Sequence, residues 1–415
     1  MRKIRGLSQE WHLSVTQLSL VRSASYWLHR LVPAVRKNKP RLSEKDLSRW
    51  RLVEEFRRRI EADSGAAHRT FADPRRHLGQ GDYLCLMLFG LLNPVVEAMR
   101  GLCAASALRR VQEDICSRRV SLGSFSEAQR VIDPELLRRV FGELAAEPGA
   151  FRGDARLERY RDQLMAIDGT IWKALPRMAW ALWRHQGTAQ SALRLHVKFN
   201  LLEEKPAGAV LRAARRCERA VLREQMRAGE FYVGDRYYGE DYALFGELRE
   251  AGCSFVLRLR AEACWKVVEA FALGAEDRAA GVVFDGLVRL GARPKGPPVR
   301  LVRVQSDGHD LRLVTDKPRE ELGAELIALI YRYRWRIELF FKWIKCILGC
   351  RHWLAESEQG VALQVYCALI AALLLLRASG RRPGKRAMEM IRFYLMDMAT
   401  LDELCAALGC EKNPA

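Results

Sequence analysis

The chain has 415 residues, 49% of them apolar, and a formal charge of +19 from 69 Lys+Arg against 50 Asp+Glu. Its length exceeds the usual size of one core, so a main domain with accessory segments is expected, and the basic excess suits a polyanionic partner. Eleven cysteines without a CxxC pair or a framework spacing exclude a disulfide scaffold and read as buried thiols of a reducing cytoplasm.

In chain order, the N-terminus "MRKIRGLSQEWHLSVTQLSL" is basic at its start but never reaches an unbroken apolar run, so it does not read as a signal peptide. Residues 1–80 hold 18 Lys+Arg against 8 Asp+Glu, a balance of +10, which makes that end a candidate first contact with DNA. Across 1–150 apolar residues recur at three- and four-residue spacing, predicting a helical segment with loops at "DSGAAHRTFADPRRHLGQGD" and "SLGSFSE"; being basic, it reads as a DNA-binding segment, with a plain scaffold as the alternative.

The rhythm then changes. "QLMAIDGT" predicts a strand ending at Asp168-Gly169, "LRLHVKFNLL" alternates as a second, and "GEFYVGDRYY" is a third, broken at Asp235. "RRCERAVLREQMRAG" and "GEDYALFGELREAG" predict helices, and "CSFVLRLR" a further strand. This alternation over 151–260 predicts a mixed α/β sheet, interrupted over 261–316 by a β-rich insertion with a Gly/Pro turn at "GARPKGPP". Residues 317–380 predict a helix starting near Arg319 and an apolar packing helix, and 381–415 a helical tail. The apolar run Val361–Leu376 contains Gln364 and is shorter than the ~20 residues of a bilayer span, so it reads as a buried helix.

"YRYRWRIELFFKWIK" carries five cations and one carboxylate. At ~100° per residue Tyr331, Arg334, Glu338 and Lys345 fall within roughly a 60° arc, while Ile337, Phe340 and Ile344 form the opposite, apolar face. On this evidence alone the stripe is equally an ordinary surface face, with Glu338 and Lys342 as an i to i+4 pair. The two strand-end aspartates add a second possibility. Three carboxylates from two strands and a packed helix can converge on a pair of hard divalent cations, which take oxygen ligands and serve in-line phosphodiester displacement. Cys346, Cys350 and His352 are near one another, but a fourth zinc ligand is absent, so they read as packing residues.

Tyr331, Arg334, Glu338 and Lys345 satisfy Tyr-x2-Arg-x3-Glu-x6-Lys, which resembles the signature of the IS-four group of insertion-sequence DDE transposases. "AIDGT", "GDRYY", "EQGVALQVYCALIAALLL" and "SLGSFSEAQRVIDPELL" are similar to further segments of that family, and the likeness spans roughly residues 80–380. The resemblance implies an RNase H-like catalytic core with Asp168, Asp235 and Glu338 as catalytic, metal-binding residues. It implies two Mg2+ ions, replaceable by Mn2+. Tyr331, Arg334 and Lys345, flanked by Lys342 and Arg336, would contact the backbone of double-stranded DNA. Cut-and-paste transposition by a homodimer, in a nucleoid-associated cytoplasmic setting, follows from the same resemblance. A non-cleaving DNA-binding descendant and a two-metal nuclease without strand transfer are the alternatives. The family's insertion can carry a tryptophan that holds a flipped base, and Trp265 is the insertion's only tryptophan, although "EACWKVV" reads equally as packing. One departure stands out: "DRYY" puts Tyr237 where the family commonly has glycine, and a left-handed backbone there would cost about 1–2 kcal/mol.

Overall fold

The computed structural model describes residues 41–42, 51–63, 78–93, 96, 98–173, 178–185, 188–292, 296–306, 308–346, 353–396, 398–409 and 411–412. Met1–Asn38 form a separate unit outside these residues, so most of the basic N-terminal stretch is not described. Everything below belongs to the unit Lys39–Ala415.

Among the described residues a short strand, Arg41–Leu42, pairs with Glu411–Lys412 and precedes six helices: α1 Arg51–Asp63, α2 Gln80–Leu92, α3 Met99–Ala105, α4 Arg109–Asp114, α5 Leu122–Val131 and α6 Pro134–Ala146. The "SLGSFSE" stretch is not a loop. Ser121 caps α5 by accepting from the Ser124 amide at 3.1 Å, so the turn-forming serines start a helix. Asp133 and Pro134 do the same for α6, where proline at the first position loses no hydrogen bond.

The sheet follows, with β1 Leu164–Lys173, β2 Leu182–His185, β3 Thr188–Asn200 and β4 Lys205–Ala213. Helix α7 Glu218–Gln225 leads to β5 Phe231–Gly234, α8 Arg236–Gly239, α9 Tyr242–Glu250 and β6 Ser254–Arg258. Strand β3 runs antiparallel to both β1 and β4, whereas β5 pairs parallel with β1 and with β6. The core order β4–β3–β1–β5–β6 with that mixture of directions is the RNase H-like arrangement.

The insertion forms β7 Trp265–Ala270, a short helix α10 Ala275–Ala279, β8 Val282–Leu290, β9 Val299–Ser306 and β10 His309–Thr315. Its strands pair antiparallel, and β10 pairs with β6, so the insertion continues the core sheet edge to edge. A buried ion pair fastens it. Arg300 on β9 grips Asp285 on β8 through two bonds of 2.8 and 2.9 Å and donates to Leu322 O at 2.6 Å, while Arg319 reaches both Asp285 and Asp277.

The remaining helices are α11 Ala324–Tyr333, α12 Trp335–Cys346, α13 Glu358–Ser379, α14 Lys385–Leu395 and α15 Leu401–Leu408. The single helix predicted from near Arg319 is two. At Arg334 the bonds tighten to i to i+3, from Arg334 N to Tyr331 O and from Ile337 N to Arg334 O. Helix α13 is long and apolar enough to cross a membrane by length and composition, yet it is mostly buried among α6, α2 and β4, as a core helix is. Burying one such leucine contributes roughly 2 kcal/mol. The thiols divide: Cys85, Cys116, Cys253, Cys367 and Cys405 are buried, but Cys217, Cys264 and Cys346 are exposed, against the expectation from apolar sequence context.

Candidate active site

One register places the two aspartates. Ala166 on β1 is opposite Val233 on β5 in the parallel pairing, so Asp168 and Asp235, two residues further along each chain, stand at the same level on neighbouring strands. Leu164, Ala166 and Val233 belong to the core beneath α12, and by the alternation of a strand Asp168 and Asp235 take the same face. Helix α12 lies there, its Phe340 against Phe199 of β3 at 5.2 Å between ring centroids, and presents Glu338. The strand predicted to end at Asp168-Gly169 instead runs on to Lys173, so a mid-strand position, a strand end and one packed helix supply one carboxylate each.

Asp168 is half-buried and accepts from the Gly169 amide at 2.7 Å. Burial raises its pKa to about 7, an effect opposed by Arg334 and reinforced by Glu338, Asp235 and Glu218. Glu338 is also raised by burial, against the pull of Arg334, whose Nη2 lies 2.8 Å from Glu338 Oε1. Its Oε2 is buried with no hydrogen-bond partner. Burial alone would lower Arg334, but Tyr331, Glu338, Asp168 and Asp235 together drive its pKa upward, so it is a fixed counter-charge for all three acids.

Asp235 caps α8 by accepting from the Tyr237 amide at 2.9 Å. Tyr237 therefore has helical rather than left-handed backbone, and the strain anticipated from "DRYY" does not arise: among the described residues only Glu204 has positive φ without being glycine. The glycine requirement falls two residues later. A Cβ on Gly239 would stand 2.0 Å from Arg258 O, because α8 packs directly on β6. Tyr237 instead lies under Arg219, 4.2 Å from its guanidinium, while Arg219 Nε donates to Tyr237 O at 2.8 Å.

The other predicted positions separate. Tyr331 is buried beside Arg334, its hydroxyl without a partner. Lys345 donates to Ile171 O on β1 at 2.7 Å and lies over Trp172. Lys342 is exposed, and the ion-pair partner of Glu338 is Arg334, not Lys342. Arg336 is buried away from the acids, donating to Leu201 O and Arg152 O and facing Glu204 at 3.4 Å. Trp265 is half-buried at the start of β7, with Arg312 and Arg303 at 4.9 and 5.9 Å from its ring. Cys346 ends α12, while Cys350 and His352 lie outside the described residues.

Sequence reasoning missed Glu218. It opens α7 directly over Gly169, where a Cβ would meet its carboxyl at 3.1 Å, and it pairs with Arg194 at 2.9 Å. Burial raises its pKa, Arg194 opposes this and Asp235 adds to it. The glycine after Asp168 was the available signal, since its missing side chain makes room for this acid.

The acids offer only oxygen donors, and the orphaned Oε2 of Glu338 leaves one free to receive a hard divalent cation. Among the described residues no group of three His, Cys, Asp or Glu side chains is yet drawn tightly enough to hold an ion, with Arg334 as the present counter-charge. Fold and site together define an RNase H-like domain with an acidic centre. The family model of the transposase DDE domain matches residues 159–374, just over half of the chain. A protein of Sinorhizobium fredii named as transposase y4zB is 31% identical over 194 residues, 46% of this chain and 53% of that one. The protein named as transposase of insertion sequence element IS5377 in Geobacillus stearothermophilus is 24% identical over 265 residues, 62% of this chain and 67% of its own length. The chain thus spans about half of the first relative and two thirds of the other. A solved piggyBac transposase synaptic complex with hairpin DNA aligns over 89% of this chain and 83% of that one at 10% identity, but its TM-score of 0.42 is too low to bear on the fold. The chain belongs to the insertion-sequence DDE transposases. Membership implies dependence on a divalent cation.

Proposed function

We propose that the chain is a DNA transposase that cleaves at transposon ends to expose a 3′-hydroxyl and joins that hydroxyl to target DNA. The observation that carries this reading is the meeting of Asp168, Asp235 and Glu338 around one buried arginine, on three elements brought together from 170 residues of chain. Asp168, Asp235 and Glu338 are the residues that would hold two Mg2+ ions, for which Mn2+ can substitute. Such ions supply activation of the attacking oxygen and stabilisation of the leaving one. The chain's own groups do the rest. Asp168, its pKa raised to about 7 by burial, limits the negative charge gathered beside Arg334, and Arg334 holds Glu338 in place. Tyr331 stiffens Arg334 from behind, while Lys345 and exposed Lys342 face the phosphate backbone at the far end of α12. The partner is double-stranded DNA, and synapsis of two ends calls for a homodimer on the nucleoid.

The test is nicking of duplex carrying the element's ends. Asp168→Ala and Glu338→Ala should abolish metal-dependent nicking and leave DNA binding in place; retained nicking sinks the assignment. Joining of a pre-cut end to a second duplex separates transposition from simple nuclease action.

A further inference from the structure

On the side of α12 turned away from Glu338, three arginines gather around one carboxylate. Arg336 and Glu338 are two residues apart, about 200° on the helix, so this cluster is separate from the acidic centre. Arg336 lies 3.4 Å from Glu204, at the tip of the β3–β4 hairpin, and donates to the Leu201 and Arg152 carbonyls. Arg152 in turn donates to Gly380 O, the left-handed cap of α13. Two residues on, Arg382 feels the field of Glu204, Arg336 and Arg152. The Arg382 segment is held from two directions, since Trp343 on α12 donates to Pro383 O at 2.7 Å.

Arg382 is incompletely satisfied. Its Nη1 is buried without a hydrogen bond, and Arg336 Nε is in the same condition. A guanidinium cannot shed its proton to escape burial, and a buried cation without a paired anion is costly. Three guanidinium groups against Glu204 leave a surplus of two positive charges in a fixed cluster, Arg336 buried and Arg152 and Arg382 half-buried. An anion presenting several acceptor oxygens at once meets that geometry, and a phosphate does so through forked arginine contacts.

We infer that Arg152, Arg336 and Arg382 form a phosphate-binding pocket that takes a backbone phosphate of duplex DNA away from the scissile bond. The ligand is a strand phosphate rather than a free ion because a basic track adjoins the cluster. Arg381, Lys385 and Arg386 are exposed on either side of Arg382, giving four cations within six residues. This inference rests on the reading of the chain as a DNA-processing enzyme.

The test uses the full chain and its Arg382→Met variant, with Arg382→Gln as a second form should the first not fold. Inorganic phosphate is titrated during thermal denaturation, and binding of non-specific duplex is measured against salt. The wild type should gain thermal stability with phosphate and the variants should not. The variants should bind duplex about tenfold more weakly, with a salt slope shallower by about one. A phosphate response that survives in both variants overturns the pocket. Loss of the phosphate response with an unchanged slope overturns the assignment to DNA. A wild type that binds no duplex at all instead defeats the transposase reading, and the phosphate titration remains readable in that case.

Discussion

Replacing Asp168 by asparagine should make the metal-free protein more stable at pH 8. Asparagine keeps the shape and can still accept from the Gly169 amide, but it removes a carboxylate that burial pushes from 3.8 to about 7. A carboxyl whose folded pKa is raised stabilises the fold fully below its unfolded value near 4, and loses that contribution as pH climbs through about 7. At pH 8 the loss is complete. Roughly three pH units at ~1.4 kcal/mol each set an upper bound of ~4 kcal/mol, which partial solvent access reduces to roughly 2–3. For a chain of this length that is about 2–3 °C in Tm. Denaturation midpoints of wild type and variant across pH 4–8, in the presence of a chelator, should converge toward the acid end and separate progressively between about pH 4 and 7. A variant that is no more stable than wild type at pH 8, or that gains as much at pH 4, refutes the claim that charge at Asp168 is the source of the cost.

Three further outcomes follow from the packing. Gly239→Ala should cost about 1–3 kcal/mol in urea unfolding, because the new methyl meets Arg258 O and forces α8 off β6, and nicking should fall as the Asp235 cap shifts. Asp285→Ala strands the fully buried Arg300 and should cost about 3–5 kcal/mol, seen as a lowered Tm, with proteolysis beginning in the insertion. Tyr237→Gly should destabilise by about 1–2 kcal/mol through loss of the Arg219 contact and of helix propensity; a stabilised variant would show that the position does require left-handed backbone.

Much of the site was legible because its signals are local. Asp168 and Asp235 each end an apolar run, and the offsets from Tyr331 to Lys345 fix a helical stripe whatever packs against it. The tightened turn at Arg334 hardly disturbs that phase, since a single i to i+3 step shifts the helix little. What stayed hidden depends on partners distant in sequence. Glu218 becomes part of the site only because β1 brings Gly169 beneath it, and Arg336 turns inward because the β3–β4 hairpin offers Leu201 O and Glu204. The serines before α5 were misread for a different reason: the same side chains that favour turns also cap helices, and which they do is decided by the buried Phe125 that follows. Cysteine exposure misled because Cys217 and Cys264 occur at element ends, where apolar neighbours in sequence point elsewhere.

The unbroken pairing from core into insertion also acts as a ruler. Five strand spacings separate β5, which delivers Asp235, from β7, which opens with Trp265. At ~4.8 Å each, the span along the sheet is roughly 24 Å, or about seven nucleotide steps of ~3.4 Å along a duplex. Such a distance can change only in whole strands. A chain that lost one hairpin of the insertion would bring its far edge two spacings, roughly 10 Å, closer to the acids. Gain or loss of a hairpin would thus move the insertion's far edge relative to the acids in discrete steps, never by a gradual drift.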